Sequence, residues 1–212
     1  MTTQAALKQI ITEAPVRLSN AKKIEMIMPH ISEILQILEL DLNDESIRDT
    51  PRRVATMYVK EIFSGLDPEL KPEMTLFENN YGYKEMLLEK GITFFSCCEH
   101  HLVPFFGKAH VAYFPQRHVV GLSKLNRIVQ YLAKKPQVQE RLTVEIGTEL
   151  QEALLTNDIA VVVEAQHLCI ASRGVEDVQS ITRTSYFSGK FEEREIRNEF
   201  LQQIESADHS RM

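Results

Sequence analysis

Residues 94–107 read FFSCCEHHLVPFFG, an apolar stretch interrupted by two cysteines, a glutamate and two histidines. The flanking segments, 91–97 and 105–114, are rich in β-branched and aromatic side chains, which is typical of strands. Polar side chains inside an apolar stretch cost stability unless something binds them. The stretch therefore predicts two strands joined by a turn that holds a ligand.

The rest of the chain predicts a mixed α+β class. Helical periodicity begins after three candidate caps, Asn20, Thr50 and Ser123, and again at Pro136, and a last helix is expected over 192–204. Strands are expected over 159–171 and 181–187. Hairpins that flank a helical pair favour an antiparallel α+β domain over a doubly wound sheet. We expect a helical region over 1–90 and the main domain over 91–212.

Composition excludes several classes of protein. The chain has 212 residues and a net charge of −6, which gives no general attraction to nucleic acid. No window approaches the ~18 apolar residues of a membrane span, and the N-terminus lacks the pattern of a secretory signal. The three cysteines, an odd and sparse number, argue against a disulfide framework and favour a reducing compartment. We therefore expect a cytoplasmic protein without nucleic-acid or membrane partners.

The spacing of cysteine and histidine suggests a metal site. Cys98 and His101 would point to opposite faces of a strand, so they can share one ion only if the chain turns between them. Pro104 is consistent with a strand that ends nearby. In the strand-like segment AQHLCIASRG, residues 165–174, alternate residues share one face, which offers Cys169 as a third ligand with His167 and Arg173 beside it.

Two thiolates and one imidazole suit zinc, and three protein ligands leave a fourth position for water, as in catalytic zinc sites. Such zinc lowers the pKa of water toward ~7. A single free cysteine is more often part of a core than a metal ligand, so the spacing alone leaves both interpretations open. Cys97, which faces away from Cys98, is predicted to pack in the core.

Two histidines are candidates for proton transfer, because their ordinary pKa lies near neutrality. His100 points away from the ion if His101 is a ligand, and His167 neighbours Cys169. The alternative is that each of these two histidines only forms a hydrogen bond to a metal ligand or to a backbone carbonyl. The others are expected to be ordinary: His30, His110, His118 and His209.

An anion site is suggested by a hydroxyl and two cations at a predicted helix N-terminus: Ser123, Lys124 and Arg127. Arg173 and Arg53 can add charge, and the alternative is that all are solvated surface cations. Glu140, in the first turn of the next predicted helix, either complements the helix dipole or accepts two N–H groups, as guanine offers.

With these residues in view, the sequence closely resembles the zinc-dependent GTP cyclohydrolase I family over roughly residues 41–205. The matching stretches are DTPRRVATMYVKEIFSGL, CEHHLVPFFGKAHVAY, GLSKLNRIVQ, KPQVQERLT and HLCIASRG. The resemblance implies an enzyme that converts GTP and water to 7,8-dihydroneopterin triphosphate and formate, the first step of tetrahydrofolate and pterin biosynthesis.

The resemblance also implies a role for each candidate residue. Cys98, His101 and Cys169 would bind Zn²⁺, which activates the water that attacks C8 of the purine. His100 would protonate the imidazole nitrogen of the base, and His167 would transfer protons during deformylation and the rearrangement of the ribose. The remaining residues would hold GTP. Glu140 and Gln139 would bind the guanine, and the triphosphate would be bound by Ser123, Lys124, Arg127, Arg173 and Arg53.

The family has the tunnelling fold and forms a toroidal homodecamer with active sites at subunit interfaces, which the resemblance implies here too. One departure is Thr56, where some relatives carry a basic residue. Two alternatives remain. A nitrile reductase of the queuosine pathway shares the fold but needs one nucleophilic cysteine, whereas a non-catalytic zinc-stabilised module needs a fourth protein ligand.

Overall fold

The computed structural model describes residues 17–205. The chain divides into two compact units, Met1–Glu61 and Ile62–Met212. In the first unit, helix α1 covers Asn20–Ile37 and helix α2 covers Thr50–Met57. A π-helical turn over Tyr58–Ile62 follows α2. His209 lies outside the described residues.

Both helices of the first unit begin one residue earlier than the sequence predicts. Ser19 caps α1, because its Oγ accepts a hydrogen bond from the Lys22 N–H at 3.2 Å, so Asn20 is already helical. Asp49 precedes α2. Pro51 lies in the first turn of α2, where its missing N–H removes no helical bond.

The second unit alternates strands with helices. In chain order its elements are β1 (Leu76–Glu78), β2 (Leu87–Cys98), β3 (Pro104–Tyr113), β4 (His118–Val120), α3 (Leu122–Ala133), β5 (Pro136–Gln137), α4 (Gln139–Leu154), β6 (Ile159–His167), the short helix α5 (Leu168–Ala171), β7 (Thr182–Phe187) and α6 (Arg194–Glu205).

Among the described residues, five strands form one sheet in the order β5-β2-β3-β6-β7, and β1 pairs with β4 separately. The short strand β5 runs parallel to β2, whereas the other neighbours in the main sheet are antiparallel. The predicted mixed α+β class is confirmed. The register of β3 and β6 sets Phe105 opposite His167, at the end of the sheet where β2 also ends.

Three predicted boundaries are wrong. The strand expected over 159–171 ends at His167, where α5 begins. Helix α4 begins at Gln139 and not at Pro136, because Pro136 and Gln137 pair with the end of β2. Ser123 is not a cap, since Gly121 precedes α3 and Ser123 lies within its first turn.

The core lies between the sheet and the α3–α4 pair. Its helical side chains are fully buried: Leu125, Ile128, Val129, Leu142, Ile146 and Leu150. Gly147 lets α4 approach β7, because a Cβ there would collide with the ring of Tyr186. Helix α6 covers part of the other face with Phe200 and Ile204. Over residues 17–205, no helix has both the length and the apolar character needed to cross a bilayer.

Candidate metal centre and active site

The turn between β2 and β3 brings Cys98 and His101 together. The Cys98 N–H donates to the Val103 carbonyl at 2.9 Å, and the Leu102 N–H donates to the Cys98 carbonyl at 2.8 Å. Leu102 takes a left-handed conformation with φ 51°, which folds the chain back. The Cys98 Sγ consequently lies 4.0 Å from the His101 Nδ1. The turn that the spacing required is confirmed.

Cys169 reaches the same place from α5 and not from a strand. Helix α5 begins directly after His167, and both the Ser172 N–H and its hydroxyl bond the Leu168 carbonyl, at 2.9 and 2.7 Å. The predicted alternation from 167 to 173 on one strand face is therefore wrong. The ligand atoms of Cys98, His101 and Cys169 nevertheless all lie within 4.8 Å of one another.

This group of three suits a metal ion by its chemistry. Cys98 is buried, Cys169 is half-buried and His101 is exposed. Burial, followed by the neighbouring Cys98 thiol, raises the pKa of Cys169 above its ordinary value. A bound cation would favour the Cys169 thiolate over its thiol. Two sulfur donors and one imidazole fit a thiophilic divalent cation.

Cys97 is buried on the other side of the strand, as predicted. Burial raises the pKa of its thiol, with a smaller contribution from Cys98. A raised pKa disfavours the thiolate that a metal would need.

His100 lies beside the group of three. It is exposed, and its Nδ1 is 3.8 Å from the Cys98 Sγ. Its ring meets the ring of His101 edge-on, with 6.3 Å between the centroids. His100 therefore presents an exposed imidazole beside the three candidate donors.

His167 is held more rigidly, at the end of β6. Its ring stacks on Phe105 with 4.6 Å between centroids and 6° between planes. Its Nε2 lies 2.8 Å from the Gln139 Oε1. Burial lowers the pKa of His167, and the Glu140 carboxylate opposes this by raising it. The neutral imidazole is the favoured form.

Comparison with known proteins points to one family. The family model described as GTP cyclohydrolase I matches residues 27–205. The chain belongs to the GTP cyclohydrolase I family. One relative named GTP cyclohydrolase 1, from Flavobacterium johnsoniae, is 53% identical over 197 residues, which cover 93% of this chain and 88% of the relative. Another of that name, from Enterobacter sp. (strain 638), is 48% identical over 198 residues, 91% of this chain and 89% of the relative.

Membership of the GTP cyclohydrolase I family bears out the resemblance carried by the motifs. Among solved structures, an archaeosine synthase QueF-like protein in its apo form aligns with 50% of this chain and 94% of its own. Its sequence identity is 16% and its TM-score 0.38, so it carries no argument about the fold.

The two residues that the GTP cyclohydrolase I resemblance assigns to guanine differ in exposure. Glu140 is exposed in the first turn of α4, close enough to His167 for its charge to affect that ring. The side chain of Gln139 is buried, with the residue only 2% exposed, and its amide is bonded within the protein.

The cations assigned to the triphosphate do not gather in one place within a chain. Arg173 lies at the metal-binding group, where its Nη1 is 3.3 Å from the His101 Nε2. Ser123 and Lys124 lie at the opposite end of the sheet: Asn126, in the same turn, donates to the Glu89 Oε1 at 3.0 Å near the start of β2. Arg127 follows one turn later on α3.

Within a single chain, Ser123 and Lys124 are therefore far from the group of three candidate metal donors. Cys98 lies at the other end of β2, nine residues beyond Glu89, or roughly 30 Å at the rise of a strand. Arg53 belongs to the first unit, on α2, where its guanidinium lies 4.0 Å from the Asp49 carboxylate.

Sequence reasoning missed the groups that support this site. Arg141 bonds the Glu99 carboxylate, the Gln137 Oε1 at 2.9 Å and the Pro136 carbonyl at 3.1 Å, and so ties the metal-binding turn to α4. Phe105 stacks on His167 but reads as one more apolar strand residue. These pairings join segments distant in sequence, and no local pattern marks them.

Proposed function

We propose that this chain converts GTP and water to 7,8-dihydroneopterin triphosphate and formate, the first step of pterin and tetrahydrofolate biosynthesis. The observation that carries the proposal is the group of three metal donors with two histidines beside it, in a chain of the GTP cyclohydrolase I family.

The ion in this proposal is zinc, held by Cys98, His101 and Cys169, because two thiolates and an imidazole are preferred zinc ligands. When bound, zinc supplies the Lewis acidity that activates water at neutral pH. The group provides three protein ligands, which is typical of a catalytic site, whereas a structural zinc site uses four.

The two histidines divide the proton transfers in this proposal. His100, which is exposed beside the donors, protonates the imidazole nitrogen of the base as the ring opens. His167, which is neutral and held against Phe105, transfers protons in deformylation and in the later rearrangement of the ribose.

Guanine recognition is assigned to the start of α4. The exposed Glu140 carboxylate can accept the N1–H and the exocyclic amine of guanine, a pair of donors that adenine lacks. Gln139 is assigned to the same binding site, although its side-chain amide is bonded within the protein.

Triphosphate binding is assigned to five residues: Ser123, Lys124, Arg127, Arg173 and Arg53. Because Lys124 and the metal donors lie at opposite ends of the sheet of one chain, a complete site requires two chains. Strands β2 and β7 also have edges without partners along most of their length in the described residues, which suits extension of the sheet by further copies.

These features support active sites at subunit interfaces in a toroidal homodecamer of tunnelling-fold subunits. The same proposal takes residues 91–212 as the catalytic domain and 1–90 as the helical region, within which β1 and the start of β2 already belong to the second compact unit. A cytosolic location, favoured by free cysteines, belongs to the same proposal.

The proposal is tested by incubating the zinc-loaded protein with GTP while measuring formate, the fluorescent pterin after oxidation, and zinc content. We expect formate and pterin in equal amounts and one zinc ion per chain. If a zinc-replete sample released neither formate nor pterin, the proposal would be overturned. Thiol-dependent reduction of a nitrile substrate would then favour the queuosine-pathway alternative, whereas a Cys169→Ala variant that unfolds would favour a structural zinc module.

A further inference from the structure

The side chain of Gln139, the first residue of α4, reaches across to two strands. Its Nε2 lies 3.0 Å from the Val163 carbonyl on β6, 3.0 Å from the Thr182 carbonyl on β7 and 3.1 Å from the Thr184 Oγ1. Its Oε1 lies 2.8 Å from the Nε2 of His167. The residue is 2% exposed, so these protein atoms are the partners that fix the amide.

The orientation of the amide follows from its partners. The carbonyl oxygens of Val163 and Thr182 only accept hydrogen bonds, so the amide NH₂ group must face them. The reverse orientation would place the Gln139 Oε1 against two other oxygens in a buried site, which is strongly unfavourable. The Oε1 atom therefore faces His167.

A chain of hydroxyl groups fixes the same orientation independently. The Thr143 hydroxyl donates to the main-chain carbonyl of Gln139 at 2.8 Å, so the single hydroxyl proton of Thr143 is already used. The Thr184 hydroxyl, 2.6 Å away, must therefore donate to the Thr143 Oγ1. Having used its own proton, the Thr184 oxygen accepts from the Gln139 Nε2. The Gln139 NH₂ group has two hydrogens for three acceptors, the Val163 and Thr182 carbonyls and the Thr184 Oγ1, so one N–H is shared between two of them.

The direction of this network determines where His167 carries its proton. Because the Gln139 Oε1 can only accept, the His167 Nε2 must carry hydrogen. In the neutral ring the lone pair then lies on Nδ1. Stacking on Phe105 holds the plane of the ring, so the direction of that lone pair is fixed as well.

We propose that Gln139 is a positioning residue that holds His167 as the Nε2–H tautomer, so that Nδ1 is the atom that exchanges protons with the substrate. This inference rests on the proposed function for its catalytic meaning. Nδ1 accepts a proton from the substrate and the ring becomes imidazolium, while Nε2–H stays bonded to Gln139. Release of that proton from Nδ1 to a later intermediate returns the ring to its starting tautomer.

This role differs measurably from a side-chain contact with guanine. A guanine contact would lower affinity for GTP when removed, and KM would rise. Loss of the tautomer would instead leave GTP binding intact and lower kcat, since proton transfer by a positioned group contributes about 10²–10⁴-fold.

The test uses the full-length, zinc-loaded protein with ¹⁵N-labelled histidine. Magic-angle-spinning ¹⁵N NMR distinguishes the two neutral tautomers whatever the size of the assembly, and a His167→Asn sample identifies the resonances of that ring. Gln139→Met keeps the side-chain volume but removes the acceptor. Thr184→Val is the matched control, because it removes a hydroxyl from the network but leaves both carbonyls that orient the amide.

We expect the Nε2–H form in the wild type and in Thr184→Val, and loss of that single form in Gln139→Met. We also expect kcat of Gln139→Met to fall by at least about tenfold with KM for GTP and zinc content unchanged. An Nδ1–H ring in the wild type would overturn the inference, and this measurement needs no variant to fold. Unchanged tautomer and kcat in Gln139→Met, or a rise in KM alone, would also overturn it.

Failure of the proposed function gives a different result. A wild-type protein that releases no formate from GTP contradicts the proposed reaction, whereas the tautomer of His167 in the same sample is still measured directly and decides the positioning role of Gln139.

Discussion

The Arg173 guanidinium binds the ring nitrogen of His101 that lies opposite the one facing Cys98. The Arg173 Nη1 is 3.3 Å from the His101 Nε2, whereas the His101 Nδ1 is 4.0 Å from the Cys98 Sγ. A guanidinium only donates hydrogen bonds, so this contact requires a lone pair on Nε2 and a proton on Nδ1 of the neutral ring. If His101 held an ion through Nδ1, the nitrogen that faces Cys98, its proton would lie on Nε2. The Arg173 contact would then be lost.

Arg173→Met should accordingly tighten metal binding while it weakens GTP binding. Loss of a competing hydrogen bond worth about 1 kcal/mol corresponds to roughly fivefold tighter zinc binding, measured by competition with a chromophoric chelator. Arg183→Met is the control, because it removes the same charge from a residue paired with Glu164 and Glu205. Equal zinc affinities in the two variants would show that Arg173 does not compete with the ion.

The adjacent cysteines should respond differently to the same substitution. Cys98→Ala removes a donor from the group of three and should lose zinc and formate release, whereas Cys97→Ala should retain both. Zinc content and GTP turnover, measured side by side on the two variants, check this. A Cys97→Ala protein that folds but lacks zinc would identify the wrong cysteine as the ligand.

His100→Ala should separate metal binding from chemistry. His100 is outside the group of three, so zinc content should stay at the wild-type level while formate release falls by about 10²-fold or more. His118→Ala, at the half-buried strand β4, is the control and should retain activity. Stoichiometric loss of zinc in His100→Ala would mean that this histidine is itself a ligand.

Arg141→Met should weaken metal binding without removing a ligand. Arg141 ties Glu99, which lies between the ligands Cys98 and His101, to Gln137 and Pro136. Groups that orient metal ligands typically contribute about 10–100-fold in affinity. We expect a loss in that range by chelator competition. Lys135→Met, which removes the neighbouring ion pair with Glu145 at 2.8 Å, should leave zinc affinity unchanged.

His110 should make the free energy of unfolding depend on pH. It is 7% exposed, and neither ring nitrogen has a hydrogen-bond partner among the described residues. Its Nε2 lies 3.8 Å from the Glu164 carboxylate, too far for a hydrogen bond. Burial lowers the pKa of His110, and the Glu164 carboxylate raises it by a smaller amount. Three cations lower the pKa further: Lys108, Arg183 and Lys90.

Because the folded state lowers this pKa, the unfolded chain binds the proton more readily. Stability from the neutral ring should be complete above the ordinary pKa of about 6.5 and fall as pH decreases from there toward the lowered value. Denaturant unfolding of the wild type and His110→Leu at several pH values tests this. The variant should lose less stability than the wild type on acidification; identical slopes would rule out His110 as the source.

The metal-binding turn was predictable because its residues carry the information locally. Cys98 and His101 can meet only across a turn, and Pro104 marks where the next strand starts. The end of β6 was not predictable in the same way. HLCIA is apolar enough to continue a strand, and the helical turn at Leu168 depends on a bond from Ser172 that alternation does not reveal.

The placement of the triphosphate residues shows a second limit. Sequence places Lys124 at a helix N-terminus, and the structure agrees. It does not give the direction in which α3 crosses the sheet, and that direction puts Lys124 near Glu89 and far from Cys98. Long-range packing decides this, and a motif alone gives no distance between its parts.

The pairing of Phe105 with His167 also determines the order in which the metal centre can assemble. The turn that carries Cys98 and His101 forms locally with the β2–β3 hairpin, but Cys169 arrives only when β6 pairs with β3, a contact between segments far apart in sequence. Such non-local pairing forms late, because loop-closure entropy opposes it. The complete donor set therefore depends on the pairing of β6 with β3, so an ion that needs all three donors would bind only after that pairing has formed.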